Sequence, residues 1–319
     1  MLQKLYGETI KIVKSNKYKI VYEIQNESGN GEITVYNLFE GVQVIYNDLH
    51  FEYCEERNPI LPKVIEINHC RVGRCECEFE KNRCEYMSEG DLAIHSLKNK
   101  KSTVSFFPLK HYHGITILLD FNKITEFELF DNFGVDAWKV YEKIINNNLC
   151  IIIRSNEVLE HIFYEFYYGD ETLKFYYLRI KVMELLLYLT KEAYIFQEEK
   201  RMYLTKYQVE KTKQIKDFIT TDITKHYTLE EISSEFKISQ TMMKKWFKAV
   251  YGMGIYSYLK TYRLQQATIY LKESEKSIAE IANLIGYSNP AKLSTAFKQI
   301  YGCSPREYKK VSEWIDSVY

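Results

Sequence analysis

Between about residues 31 and 121, apolar and polar positions exchange in short runs broken by turn-forming residues, the pattern of strands with one buried face. The runs 32–36, 42–46, 63–70, 74–80, 102–107 and 114–121 are the predicted strands. Arg74-Cys-Glu-Cys-Glu-Phe79 alternates residue by residue, and Lys81-Asn82 and Glu89-Gly90-Asp91 supply turns. Short strands at this spacing predict an antiparallel barrel or sandwich. After Phe121 the apolar spacing lengthens to three and four, and helices are predicted over 122–131, 136–147, 157–168 and 171–196. The last carries two apolar stripes: Leu178, Val182, Leu185, Leu186 and Leu189 on one, Tyr176, Ile180, Met183 and Leu187 on the other. A helix apolar on two faces has to bury both. The leucine-rich stripe is expected to form the dimer seam with a second copy of the chain; the alternative is a helix wedged between two domains of one copy.

The polar stretch 198–207 is expected to hold a linker, because few apolar contacts would cross it. Beyond it the helical pattern returns, starting with a block over 209–223, and then repeats itself. Thr228-Leu-Glu-Glu-Ile232 answers to Ser277-Ile-Ala-Glu-Ile281, Ile238-Ser239 to Tyr287-Ser288, Phe247-Lys248 to Phe297-Lys298, Tyr251-Gly252 to Tyr301-Gly302, and Tyr258 to Tyr308. Each copy reads as helix, turn, helix. Capping boxes at Thr228-x-x-Glu231, Ser277-x-x-Glu280 and Ser304-Pro305-x-Glu307 mark three helix starts. Asn289-Pro290 marks a fourth, and Gly252 and Gly302 sit where helices should stop.

In the first copy Ile232, Phe236, Ile238, Met243 and Phe247 share one face; in the second Ile281, Ile285, Tyr287, Leu293 and Phe297 do. These pack the helix pairs. The opposite faces present Thr241, Lys244, Lys245 and Lys248 in the first copy, and Ala291, Lys292, Ser294, Thr295 and Lys298 in the second. A helix-turn-helix can lay its second helix in the major groove of DNA, where its first side chains read bases and later ones hold phosphates. Lys donates to guanine or phosphate, Ser and Thr reach several base edges, and Ala touches the thymine methyl. A lone exposed lysine is ordinarily just solvated; the duplication is what distinguishes these. Residues 255–272 read as one connecting helix, with Tyr258, Leu259, Leu264, Ala267 and Leu271 inward and Lys260 and Arg263 as phosphate or packing residues. At ~1.5 Å per residue it spans about 27 Å, close to the ~34 Å between major-groove faces one turn apart.

Charge and cysteine content refine this picture. The formal net charge is zero, yet residues 206–311 hold 18 Lys and Arg against 10 Asp and Glu, so the helical repeat is the basic part. No cationic leader opens the chain, and the longest apolar run, 185–189, is far below the ~18 residues a membrane span needs. A cytoplasmic protein without membrane contact is expected. Five of the seven cysteines lie between Cys54 and Cys84. His69-Cys70 with the later cysteines raises a thiolate metal site, but without C-x2-C pairs the preferred reading is small buried hydrophobes. His111-x-His113 resembles the start of a cupin metal motif, yet no Glu follows it. Neither a metal nor another cofactor is expected. The chain also lacks a nucleophile elbow, a phosphate-cradling Gly loop or a paired carboxylate motif, so it is not expected to be an enzyme.

The stretch 209–310 resembles the DNA-binding domain of the AraC/XylS transcription regulators. Its second half, Ile278-Ala-Glu-Ile-Ala-Asn-Leu-Ile-Gly-Tyr-Ser288 through Ala296-Phe-Lys-Gln-Ile-Tyr-Gly-Cys-Ser-Pro-Arg-Glu-Tyr308, carries the family signature almost intact. The resemblance implies base reading by Thr241, Lys244 and Lys245 in the first recognition helix and by Ala291, Lys292 and Thr295 in the second. Gly254 departs from the usual Ser or Thr cap of the connecting helix, and Thr295 from a frequent Arg, which implies weaker reading by the second unit.

Relatives pair this module with a β-rich, cupin-like sensing domain and dimerisation helices. The resemblance therefore implies an α+β protein of two domains: a cupin-like effector-sensing barrel or sandwich over 1–121, helical dimerisation region over 122–197, linker over 198–207, and an all-α double helix-turn-helix domain over 208–319. Ile67-Asn-His-Cys-Arg71 through Glu89-Gly-Asp91 is similar to the sensing domains of regulators related to the pyochelin-responsive type, which implies a siderophore-like or other small organic effector. No effector-binding residue is identified. The expected protein is a ligand-responsive, dimeric activator of transcription with promoter DNA and RNA polymerase as partners. Its rivals are a cupin-type metal enzyme with a DNA-binding tail, resting on His111 and His113, and a regulator controlled by thiol oxidation or a partner protein, resting on the cysteines.

Overall fold

The computed structural model describes residues 10–55, 61–79, 83–98, 104–125, 127–146, 151–190 and 203–310. The chain divides into two compact units, Met1–Thr205 and Lys206–Tyr319. The first unit has strands β1 (Ile10–Ser15), β2 (Lys19–Asn26), β3 (Gly29–Phe39), β4 (Val42–His50), β5 (Tyr53–Glu55), β6 (Val64–Gly73), β7 (Cys75–Phe79), β8 (Arg83–Met87), β9 (Leu92–Ser96), β10 (Val104–Phe106), β11 (Tyr112–Asp120), β12 (Ile151–Ile153) and β13 (Leu204–Thr205). Eight of them form an antiparallel sheet in the order β1-β2-β3-β4-β11-β6-β9-β12, while β10-β5 and β13-β8-β7 form two smaller sheets.

Both faces of the large sheet are covered. On one, Val44, Ile67, Ile94 and Ile117 pack against helices α1 (Phe127–Asn132), α2 (Ala137–Asn146), α3 (Glu157–Tyr168) and α4 (Lys174–Thr190) through Val140, Phe163, Leu178 and Val182. On the other, Ile33, Val35, Ile45 and Leu118 meet Phe51, Met87 and Phe107. The central strand β11 is consequently buried along nearly its whole length and does not alternate. A continuous apolar run is what a strand covered on both sides requires.

The predicted strands all appear, β3, β4, β6 and β11 in longer form and β7 and β10 in shorter, and β1, β2, β5, β8, β9, β12 and β13 add to them. Strand β12 is the most informative omission: Ile151–Ile153 sits between helices and its three residues are too few to show a period. Gly90 turns with φ +81°, as the 89–91 turn requires, whereas Lys81-Asn82 lies outside the described residues. The helix expected from 122 starts at Phe127, because Asn122 instead folds back to donate its backbone and side-chain N–H to Asp120 Oδ1. Within the expected linker 198–207, of which 198–202 lie outside the described residues, Leu204 and Thr205 pair with Cys84 and Arg83 of β8, and the next helix starts at Lys206. The helices of 127–190 belong to the same unit as the strands.

A correction concerns α4. Leu178, Val182, Leu185, Leu186 and Leu189, expected at a dimer seam, are each at most 1% exposed within the chain's own core. The sheet and the neighbouring helices cover them, and they offer no surface to a second copy. Of the second stripe Met183 is also buried, but Tyr176, Ile180 and Leu187 are exposed.

After β12, Arg154 knits the sheet's edge. Its Nη1 donates to Asp91 Oδ2 at 2.6 Å and to the Tyr86 carbonyl at 3.2 Å, and its Nη2 pairs with Glu85. Asp91 Oδ1 also accepts from the Ser155 backbone at 3.1 Å. Both carboxylate residues are buried.

Candidate nucleic-acid interface

The second unit contains α5 (Lys206–Thr221), α6 (Leu229–Phe236), α7 (Gln240–Tyr251), α8 (Ile255–Glu273), α9 (Ile278–Leu284) and α10 (Pro290–Tyr301), then a last turn of helix over 305–310. All three capping boxes form. Thr228 Oγ1 accepts from the Glu231 N–H at 3.1 Å and Glu231 Oε2 accepts from the Thr228 N–H at 2.7 Å; Ser277/Glu280 and Ser304/Glu307 repeat the pair of bonds. Asn289 Oδ1 caps α10 by accepting from the Lys292 N–H at 2.9 Å. Gly252 and Gly302 end α7 and α10 with φ near +77° and +76°, a left-handed conformation that costs glycine little. Gly254 caps α8 in extended geometry without a side-chain bond, as its missing hydroxyl dictates.

The repeat extends into three dimensions. Phe247 and Tyr258 meet edge-on at 5.5 Å, and Phe297 and Tyr308 at 5.4 Å; Phe247 and Tyr251 lie 4.6 Å apart, Phe297 and Tyr301 4.5 Å. Ile232, Met243, Phe247, Ile281, Ile285, Leu293 and Phe297 are fully buried, and Ile238 nearly so, as expected. Phe236 and Tyr287 are only partly covered. In the second copy the aliphatic side of α8, Leu264, Ala267 and Leu271, supplies the surface on which α9 and α10 pack.

With those faces inward, Thr241, Lys244, Lys245 and Lys248 are exposed on α7, and Ala291, Lys292, Thr295 and Lys298 on α10, while Ser294 is half-buried. Gln240 and Met242, also exposed at the start of α7, were not distinguished by the sequence pattern. Lys260 is exposed on α8 and its Nζ donates to Gln299 Oε1 of α10 at 3.2 Å. Arg263 needs correcting as a phosphate contact. It is buried, with Nε donating to the Ile223 carbonyl at 2.7 Å and Nη2 to the Lys225 carbonyl at 3.0 Å, so its fork fastens the loop after α5 to α8.

Hydrogen bonds hold the box glutamates below the ordinary glutamate range: chiefly from the Thr228 backbone for Glu231, the Ser277 hydroxyl for Glu280 and the Ser304 backbone for Glu307. A folded-state pKa below the unfolded one contributes stability above the unfolded value, and this is lost as pH falls through the folded value. Helicity of this unit is therefore expected to hold at neutral pH and to weaken as pH drops below the ordinary glutamate range. Glu→Gln at all three positions, which keeps an acceptor but removes the titration, should flatten that loss in far-ultraviolet circular dichroism. An acid profile identical in the triple variant would refute the assignment.

The first unit offers its own polar chemistry. On the face of the large sheet away from the helices, Asn47 Nδ2 donates to Thr116 Oγ1 at 2.9 Å, which donates to Asn68 Oδ1 at 2.6 Å. Asn68 Nδ2 lies 3.2 Å from Glu66 Oε1, and Glu66 Oε2 lies 2.8 Å from His95 Nε2, completing a row across β4, β11, β6 and β9. His69 points the other way, stacked on Phe163 at 3.8 Å, and burial lowers its pKa to about 3. Cys54, Cys70 and Cys84 are buried, and burial pushes the Cys70 thiol up. His111 precedes β11 and its Nδ1 donates to the Leu109 carbonyl, so of the H-x-H pair only His113 lies on the strand.

A family model described as a helix-turn-helix domain matches residues 232–310. An AraC-like transcription regulator of Streptomyces antibioticus is 32% identical over 93 residues, 29% of this chain and 31% of that protein. The lactose operon transcription activator of Staphylococcus xylosus is 30% identical over 93 residues, 29% of this chain and 33% of that protein. The match thus spans about a third of the length of these relatives. Among solved structures, the C-terminal domain of the two-component response regulator yesN from Fusobacterium nucleatum has a TM-score of 0.30 at 26% identity, covering 31% of this chain and 98% of that one.

Proposed function

Because its C-terminal unit belongs to the helix-turn-helix family of AraC/XylS transcription regulators, we propose that the chain is a sequence-specific DNA-binding regulator of transcription. The observation that carries this reading is the pair of helix-turn-helix units, each opened by a capping box and closed by a left-handed glycine, and each with an exposed polar row on its second helix. In it α7 lies in one major groove and reads bases with Thr241, Lys244 and Lys245, while Lys248 holds phosphate. Helix α10 presents Lys292 as its main donor beside Ala291 and Thr295, with Lys298 toward phosphate, and contributes anchoring more than sequence choice. The 19-residue α8, about 28 Å long, suits the spacing of two major-groove faces along one duplex. The test is a mobility shift of the full chain on DNA upstream of its own gene, across a salt series. A complex is expected whose affinity falls steeply with salt, as counterions are displaced. No shift even at low salt would overturn the reading.

The first unit, in this reading, senses a small organic effector. Support comes from the hydrogen-bonded row Asn47, Thr116, Asn68, Glu66 and His95 within an otherwise apolar sheet face, the combination that small-molecule sites use. The regulator acts as a homodimer through the exposed side of α4, Tyr176, Ile180 and Leu187, with RNA polymerase as a further partner, and activates transcription, the role for which the lactose operon relative is named. Control through Cys70 is disfavoured, since a buried thiol held protonated is a poor nucleophile.

A further inference from the structure

We propose that Asp48, His50 and His113 form a binding site for one divalent transition-metal ion of the zinc, nickel or copper kind. Strands β4 and β11 run antiparallel with Asp48 directly opposite His113, and His50 lies two residues beyond Asp48 on the same face. Both imidazoles aim the same nitrogen at the same carboxylate oxygen: His50 Nε2 lies 2.7 Å and His113 Nε2 3.1 Å from Asp48 Oδ1. The ligating atoms all lie within 4.8 Å of one another, and the two rings stand nearly perpendicular, 5.2 Å apart.

Bonds of ~2.0–2.1 Å in tetrahedral geometry put neighbouring ligand atoms about 3.3 Å apart. An ion can therefore take the place of the imidazole protons that now face Asp48, with small rotations of the three side chains and none of the backbone. Two imidazoles and one carboxylate suit zinc, nickel or copper, whereas calcium and magnesium prefer oxygen alone. The side chains are 54%, 53% and 36% exposed, which leaves a coordination position open to water.

The charge around the site is mixed. Glu32 sits across the β3–β4 pair from Asp48, while the Arg71 guanidinium on β6 is occupied by the rings of Tyr167 and Tyr168 and by the Tyr168 hydroxyl at 2.9 Å. The site lies on the helix-covered side of the sheet, near the end of α3. It is thus on the face opposite the Asn47–His95 row, and an ion there would tie β4 to β11 independently of an organic effector.

The test is titration of the metal-stripped full chain with zinc and with cobalt(II) near neutral pH, in a non-coordinating reductant, against a chromophoric chelator. One ion per chain is expected, with affinity weakened roughly tenfold or more by His50→Ala, His113→Ala or Asp48→Asn and unchanged by His111→Ala. The cobalt spectrum should show visible d–d bands without a thiolate charge-transfer band. Circular dichroism of each variant checks that these exposed substitutions leave the fold intact. Affinity unmoved in the His50→Ala/His113→Ala double variant, a thiolate band, or no saturable binding by the folded chain would overturn the site. Neither result depends on whether the chain binds DNA.

Discussion

Replacing Arg154 by Ala is expected to destabilise the first unit by about 3–5 kcal/mol, since removing one partner from a buried ion pair strands the other charge. Two carboxylates lose their guanidinium at once: Glu85 and Asp91, each 3% exposed. Arg154 itself is 44% exposed, so solvent already screens part of the interaction and the lower end of the range is expected. At a few degrees per kcal/mol this lowers the melting temperature of the unit by roughly 6–20 °C. Arg154→Lys should fall between, keeping charge but not the fork that reaches Glu85, Asp91 and the Tyr86 carbonyl together. Thermal and urea unfolding of the full chain, resolved into the transitions of its two units, measures this. A loss below about 1 kcal/mol would show that the cluster behaves as an ordinary surface pair.

The second large effect concerns DNA. Lys244→Ala and Lys245→Ala are each expected to weaken a specific complex by about 1–3 kcal/mol, roughly five- to 150-fold in Kd. Both side chains are exposed on α7, so the folded protein should melt normally. The two modes of contact separate in one experiment. A lysine on a base edge relaxes sequence preference at one position, whereas a lysine on phosphate weakens all sequences alike and reduces the salt slope by about one. Lys248→Ala is expected to follow the phosphate pattern. Arg263→Ala should do neither directly: its bonds to Ile223 and Lys225 make it a stability variant, with binding lost only as the unit unfolds. Wild-type affinity and selectivity in the Lys244→Ala/Lys245→Ala double variant would remove α7 as the reading helix.

Much of the second unit was legible because its determinants are local. A capping box joins residues three apart, a helical stripe residues three and four apart, and Gly252 and Gly302 end helices by their own φ. Those features fixed the helix starts, the buried faces and the exposed polar rows of α7 and α10 without reference to distant chain. In the first unit the longer strands were legible in the same way, but the three-residue β12 was too short to carry a period.

Partners far apart in sequence were decided only by tertiary structure. The leucine stripe of α4 is equally apolar whether it faces a second copy or its own domain, and only its burial in one core with the sheet and the neighbouring helices decided between them. Arg263 looks like any exposed cation on a basic helix until the loop carbonyls of Ile223 and Lys225 arrive beneath it. His113 was paired by sequence with His111, two residues away, but strand register gave it Asp48 and His50, over sixty residues distant. The physical reason is range: periodicity and capping are set by backbone geometry within a turn or a pleat, whereas burial and cross-strand pairing depend on which surface long-range packing brings opposite.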